Sequence, residues 1–189
     1  MERAEEIDRA WLRFAPEKYQ NAKMVDLSQP LRDAINRTTG GMLFWGLPGR
    51  GKTYATFAIM WTWIEKGIIP VRVRYRDMCL RIRSSYAPKA TETEYEILKE
   101  YRCLQVLWIE DIGSMTGVSE QEGNFSYQTF YSILDYRHDH CLPTFFTTNK
   151  SPDELGWSFD ERISRRLKVV CSVIALTGED KRVEQKGGE

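Results

Sequence analysis

Met42-Leu43-Phe44-Trp45-Gly46-Leu47-Pro48-Gly49-Arg50-Gly51-Lys52-Thr53 is the stretch on which the reading of this chain turns. Met42 to Trp45 is an uninterrupted apolar run, the mark of a strand buried on both faces of a parallel sheet. It stops at Gly46, and Gly46 to Thr53 fits the pattern G-x-x-x-x-G-K-[ST]. Glycines at these positions let successive backbone N–H groups converge on phosphate oxygens, where a side chain would clash. Thr53 to Lys66 reads as a helix closed by Gly67, and its positive end faces the same anion. Lys52 supplies a point charge for β- and γ-phosphates, and the Thr53 hydroxyl suits Mg²⁺. A Gly-rich turn without a ligand is the competing reading; the buried strand before it and the helix after it favour the phosphate loop. The residues expected to hold ATP are Gly46, Leu47, Pro48, Gly49, Arg50, Gly51, Lys52, Thr53 and Tyr54.

Downstream, strands and helices alternate. Ile68 to Tyr75 reads as a strand, and Asp77 as the cap of a helix running to about Tyr86. A helix over Glu94–Tyr101 leads to a third strand, Leu104 to Ile109, ending on Glu110-Asp111. Gly113 to Asn124 is polar and reads as a mobile loop, followed by a helix over Tyr127–Tyr136. Thr144 to Thr148 is a fourth strand ending on Asn149. Short helices at Pro152–Leu155 and Asp160–Leu167 precede a last strand, Val169 to Leu176. Upstream, residues 2–14 place Ile7, Trp11 and Phe14 on one helix face, which either docks on its own domain or presents Trp11 to a partner. Gln29 to Asn36 is a further helix. The expected fold is α/β, a mostly parallel five-stranded sheet flanked by helices. The expected organisation is an N-terminal helical extension over 1–15, one domain over 16–182 and a flexible tail over 183–189.

The chain has 189 residues, with 27 Lys plus Arg against 27 Asp plus Glu, so its formal net charge is zero. Any attraction to nucleic acid must therefore come from a local basic patch. The four cysteines are scattered without a C-x-x-C pair, Met1 to Asp8 is charged, and no apolar run approaches a spanning helix. These features predict a cytoplasmic protein with reduced thiols and no membrane association. His138, His140 and Cys141 lack the second cluster that a metal site at ligand spacing requires.

Two carboxylates end the third strand. At a strand's C-terminal edge one can reach the Mg²⁺ shell while the other polarises an attacking water. Mg²⁺ would thus be held by Thr53, Glu110 and Asp111. Asn149 ends the fourth strand at the same edge and can orient that water, although Asn also commonly starts turns. Arg162 and Arg166 lie four apart on one helix face. They read either as a solvated basic helix or as guanidinium groups offered to a neighbour's γ-phosphate. Arg72, Arg74, Arg76, Arg81 and Arg83, with Tyr86 nearby, form the densest positive cluster. The period of two puts Arg72, Arg74 and Arg76 on one strand face, suited to single-stranded DNA, unless these arginines pair with Glu92, Glu94 or Glu96.

Together these segments resemble the AAA+ ATPase core of the DnaC/DnaI replicative helicase loaders and the related IstB transposition ATPases. The resemblance begins at Ala15-Pro16-Glu17-Lys18-Tyr19-Gln20-Asn21-Ala22 and includes the phosphate loop and Glu110-Asp111-Ile112-Gly113. It continues through Asp135-Tyr136-Arg137, Thr147-Thr148-Asn149, and Glu161-Arg162-Ile163 with Arg165-Arg166-Leu167. It closes on Leu176-Thr177-Gly178-Glu179-Asp180-Lys181-Arg182, where Asp180 replaces a serine and Lys181 a tyrosine. The usual order at the acidic strand end is Asp then Glu or Asp then Asp, so Glu110-Asp111 departs from it, and the resemblance implies Glu110 on the metal side and Asp111 on the water side. The resemblance implies that Asn149 acts as sensor 1, Arg166 as an arginine finger with Arg162 beside it, and Arg182 as a contact to nucleotide or a neighbour. It implies a homo-oligomer with ATP at subunit interfaces, and a chain reduced at both ends, since loaders carry a separate N-terminal domain and no substantial helical lid is expected here. A compact phage or mobile-element replication ATPase fits that form, as does a partial chain.

Three functions follow as expectations. The first is an ATPase of DNA replication that assembles on single-stranded DNA and helps load a replicative helicase. The second is an IstB-like helper of a transposase on duplex DNA. The third is a nucleotide-gated binding module with little hydrolysis.

Overall fold

A computed structural model of the protein describes residues 2–38, 40–114, 120–158 and 161–180; within these, residues 2, 120–127, 156–158 and 161–162 are described by their backbone alone. In chain order the elements are α1 (Glu2–Phe14), α2 (Gln29–Asn36), β1 (Gly41–Trp45), α3 (Lys52–Glu65), β2 (Val71–Arg74), α4 (Tyr75–Ser84) and α5 (Glu94–Cys103). There follow β3 (Leu107–Glu110), α6 (Glu120–Asp139), β4 (Thr144–Thr148), α7 (Pro152–Ser158), α8 (Glu161–Val170) and β5 (Cys171–Ala175). The strands form one five-stranded sheet in the order β2-β3-β4-β1-β5, and its pairings are parallel. From β1 the chain runs to the far edge at β2, then works back through β3 and β4 before crossing to β5 on the other side. That reversal opens a crevice at the C-terminal ends of the strands.

Period-two alternation sends the two sides of each strand into two separate cores. Met42, Phe44, Val106, Trp108 and Phe145 face α1, α2 and α3, where they meet Trp11, Ile35, Phe57 and Ala58. Leu43, Leu107, Ile109 and Phe146 face the opposite layer, with Met78, Ile82, Ile97, Phe130, Ile133 and Leu167. Being buried on both faces is why β1, β3 and β4 read as continuous apolar runs.

The helix α1 docks on its own domain. Trp11 is 5% exposed, packs edge-on against Trp61 and Phe57, and donates from Nε1 to the Gln20 carbonyl at 2.7 Å. Its indole is therefore committed within the domain and is not offered to a partner. Opposite the α1 layer, the fully buried Arg137 of α6 donates to Thr144 Oγ1 at 2.8 Å and to the carbonyls of Tyr101, Arg102, Leu104 and Pro143. These bonds satisfy its donors and tie α6 to the ends of α5 and β4.

Several boundaries differ from the sequence reading. β2 is shorter than Ile68–Tyr75, because Tyr75 already belongs to α4, where it is buried edge-on against Phe130 at 5.4 Å. Asp77 consequently sits in the first turn of α4 and does not cap it. The helix α6 begins at Glu120, inside the segment expected to be a loop; residues 115–119 lie outside the described residues, as do Arg182 and the tail over 183–189. Among the described residues no helix follows β5, and no helix is long and apolar enough to cross a membrane.

Candidate functional site

The phosphate loop spans the turn from β1 to α3. Gly46, Gly49 and Gly51 take φ of 150°, 82° and 85°, a region that L side chains rarely adopt. A Cβ at Gly46 would collide with the Leu176 carbonyl oxygen, and one at Gly49 with the Asp180 carboxylate. Gly51 is the N-cap of α3 and brings no capping side chain, so the first-turn N–H groups of this 14-residue helix are not satisfied by a cap. That is the electrostatic condition for anion binding. Lys52 is buried, and its Nζ donates to the carbonyls of Gly46 at 2.6 Å and Leu47 at 3.0 Å, which curls the loop around the ammonium. Thr53 is half-buried in the same first turn, and Leu47 and Pro48 are exposed.

Tyr54 is held from the other side. Its hydroxyl donates to Asp26 Oδ2 at 2.7 Å, and burial, reinforced by that carboxylate, raises its pKa. Asp26 lies in the segment between α1 and α2, so this stretch is packed against the start of α3. The sequence reading gave Asp26 no role.

Glu110 ends β3 level with Thr147 of β4, which pairs with Phe44 of β1. Two strand spacings, about 10 Å, thus separate the acidic end from the strand that carries the phosphate loop. Glu110 is 4% exposed and shares its strand face with Trp108. Arg72, from β2, reaches it with an Nη2–Oε2 distance of 2.6 Å, while its guanidinium lies 5.2 Å from the ring centres of both Phe57 and Trp108. Burial raises the Glu110 pKa and Arg72 opposes that rise. Asp111 is exposed and sits at φ 54°, a left-handed conformation that Asp tolerates better than most residues. Its N–H donates to Thr147 Oγ1 at 3.2 Å, and Thr148 Oγ1 donates to the Ile112 carbonyl at 2.8 Å. Thr147 and Thr148 thus latch the turn that presents Asp111, a role that their position before Asn149 could have suggested. Asn149 is exposed, one residue beyond the Trp45–Thr148 pair, and so level with Gly46.

Arg166 is ion-paired with Asp135 of α6 and lies 3.7 Å from Asp139 Oδ1. The side chain of Arg162 and all of Arg182 lie outside the described residues. Arg72 and Arg74 share one face of β2, where Arg72 turns to Glu110, but Arg76 does not join them, because the strand stops two residues earlier and Arg76 belongs to α4. Arg81 is clamped between Glu92 at 2.5 Å and Glu100 at 2.6 Å, and the Tyr86 hydroxyl bonds to Glu94. Arg74, Arg76 and Arg83 are exposed.

The hydroxyl of Thr53 and the carboxylates of Glu110 and Asp111 are hard-oxygen donors, the chemistry that Mg²⁺ takes. A separate groove of about 560 Å³, lined by Glu6, Arg9, Ala10, Arg13, Phe14 and Ile69, shares no residue with this edge.

Comparison with known proteins agrees with this architecture. The chain is 28% identical over 187 residues to the replicative helicase loader DnaI of Bacillus subtilis, covering 85% of this chain and 57% of that protein. It is 26% identical over 149 residues to the chromosomal replication initiator protein DnaA of Streptococcus thermophilus, covering 79% of this chain and 32% of that one. It thus spans little more than half the length of the loader relative and about a third of the initiator. Among solved structures, a DnaI structure superimposes with a TM-score of 0.68 at 24% identity, covering 89% of this chain and 95% of that one. A DnaC helicase loader does so with 0.69 at 19%, covering 86% and 100%. These superpositions establish a fold like that of the DnaC/DnaI ATPase core. The model of the ATPase family associated with various cellular activities (AAA) matches residues 42–170, and the chain belongs to that family.

Proposed function

We propose that this chain is an ATP-driven factor of DNA replication that binds ATP with Mg²⁺, assembles on single-stranded DNA and helps place a replicative helicase. The observation that carries the reading is the shared strand edge, where the uncapped start of α3, Lys52, Asp111 and Asn149 are brought together by the sheet order. The names of the relatives support the replication context: one is a replicative helicase loader, and one similar structure is a replication initiator DnaA bound to AMPPCP and single-stranded DNA.

In this reading the loop N–H groups and Lys52 hold the phosphates, and Thr53 with Glu110 and Asp111 would hold the ion. Bound Mg²⁺ supplies charge neutralisation at the β- and γ-phosphates. Asp111 polarises the attacking water and Asn149 orients it. Arg166 reaches a neighbouring subunit's nucleotide on assembly, exchanging its pairing with Asp135. A second reading, a nucleotide-gated binding module with little hydrolysis, is favoured by the Arg72–Glu110 ion pair, which engages one of the two carboxylates.

The test is ATP-dependent transfer of a purified replicative helicase onto single-stranded DNA. Transfer that requires ATP and is lost with Lys52→Ala supports the loader reading. ATP-dependent binding of duplex in preference to single strands would instead support a transposase helper.

A further inference from the structure

The chain leaving the sheet after β5 lies on the phosphate loop. β5 pairs with β1 in register from Gly41–Cys171 to Trp45–Ala175, and the Leu176 N–H donates to the Trp45 carbonyl at 2.8 Å. The chain continues alongside the loop, turning at Gly178 with φ 118°. It meets the loop at two points: the Leu176 carbonyl fills the Cβ position of Gly46, and the Asp180 carboxylate fills the Cβ position of Gly49. A carboxylate is thereby packed onto the middle of a backbone turn whose geometry is suited to anions.

We infer that Asp180 sets the nucleotide affinity of the loop, its carboxylate sharing the phosphate site with ATP and opposing the phosphates. The inference rests on the reading of Gly46–Thr53 as a nucleotide site. Two anions at one turn are drawn by the same helix dipole, and they repel each other at separations too short for salt to screen fully. Binding ATP then requires either that the carboxylate swing away about Gly178 or that both negative charges be accommodated together. Mg²⁺, by neutralising phosphate charge, reduces the conflict. The penalty from Asp180 is therefore larger without the ion than with it.

The experiment measures the dissociation constant of a fluorescent ATP analogue for the intact chain and for Asp180→Asn and Asp180→Ser, with and without Mg²⁺, with Lys52→Ala as control. Asn keeps the shape of Asp180 and removes the charge, and Ser removes the bulk as well. Both variants are expected to bind about tenfold more tightly, the size of one partly screened charge contact, and the gain should be greater without Mg²⁺. Affinities equal to the parent's in both variants would overturn the inference. So would weaker binding confined to Mg²⁺-containing buffer, which would make Asp180 a group on the metal side. If the parent binds and Lys52→Ala does not, the nucleotide reading stands whichever way Asp180 falls. If neither the parent nor the Asp180 variants bind, it is the nucleotide reading that fails.

Discussion

The phosphate loop and the segment from Arg72 to Tyr86 both concentrate positive charge, and the fold holds them by opposite means. In the loop, the positive potential comes from backbone: the uncapped start of α3 and three glycines at positive φ, with Lys52 curled against two neutral carbonyls. In the basic segment the groups are side chains, and carboxylates of the same chain engage several of them. Arg72 is bound to Glu110, Arg81 to Glu92 and Glu100, and the Tyr86 hydroxyl to Glu94. The difference teaches where an incoming anion finds an advantage. A phosphate at the loop meets a single carboxylate, that of Asp180 packed at Gly49, beside a backbone suited to anions, whereas one at Arg81 must displace two carboxylates bonded directly to its guanidinium.

The largest effect expected from breaking this arrangement is at Arg72. Arg72→Ala leaves Glu110 buried without its ion-pair partner, and urea unfolding should show a loss of about 3 kcal/mol. Adding Glu110→Gln should restore part of that loss; a cycle in which the two changes simply add would mean that the pair contributes nothing. Next comes the acidic turn. Asp111→Asn should bind ATP as the parent does and lose turnover by about 100-fold, the size of a general-base contribution. If Glu110→Gln loses turnover with affinity intact while Asp111→Asn does not, the two carboxylates have exchanged roles. The smallest effect concerns DNA. Replacing the exposed Arg74 and Arg76 should make the salt dependence of single-strand binding shallower, by about 0.7 in slope for each phosphate no longer neutralised. Arg81→Ala alone should change the slope less, since Glu92 and Glu100 already occupy its guanidinium; an equal change would erase the contrast between the two regions.

What could be read from sequence divides along the same line. β1, β3 and β4 were legible because burial on both faces removes polar residues from the run, and the loop was legible because its chemistry lies in eight contiguous residues. β2 was read too long, since an edge strand alternates and Tyr75 continues that alternation while starting a helix. The start of α6 was missed because Glu120 to Asn124 is polar and contains Gly123. The pairing of Arg81 with Glu92 is one of the ion pairs that the sequence offers, whereas the partner of Arg72 and the placement of Asp180 on Gly49 depend on strand register and on chain returns across tens of residues. Spacing along the sequence carries no record of them. Arg72 was read toward DNA for that reason, although β2 pairs in register with β3 and brings it to Glu110.

The central claim is that the turn from β1 to α3 binds nucleotide phosphates through its backbone and Lys52. Titration of the intact chain with a fluorescent ATP analogue in the presence of Mg²⁺ tests it most directly. Lys52→Ala should weaken binding at least tenfold, about 1.4 kcal/mol, with the thermal unfolding transition retained. A Lys52→Ala protein that is folded and binds the analogue as tightly as the parent would contradict the account.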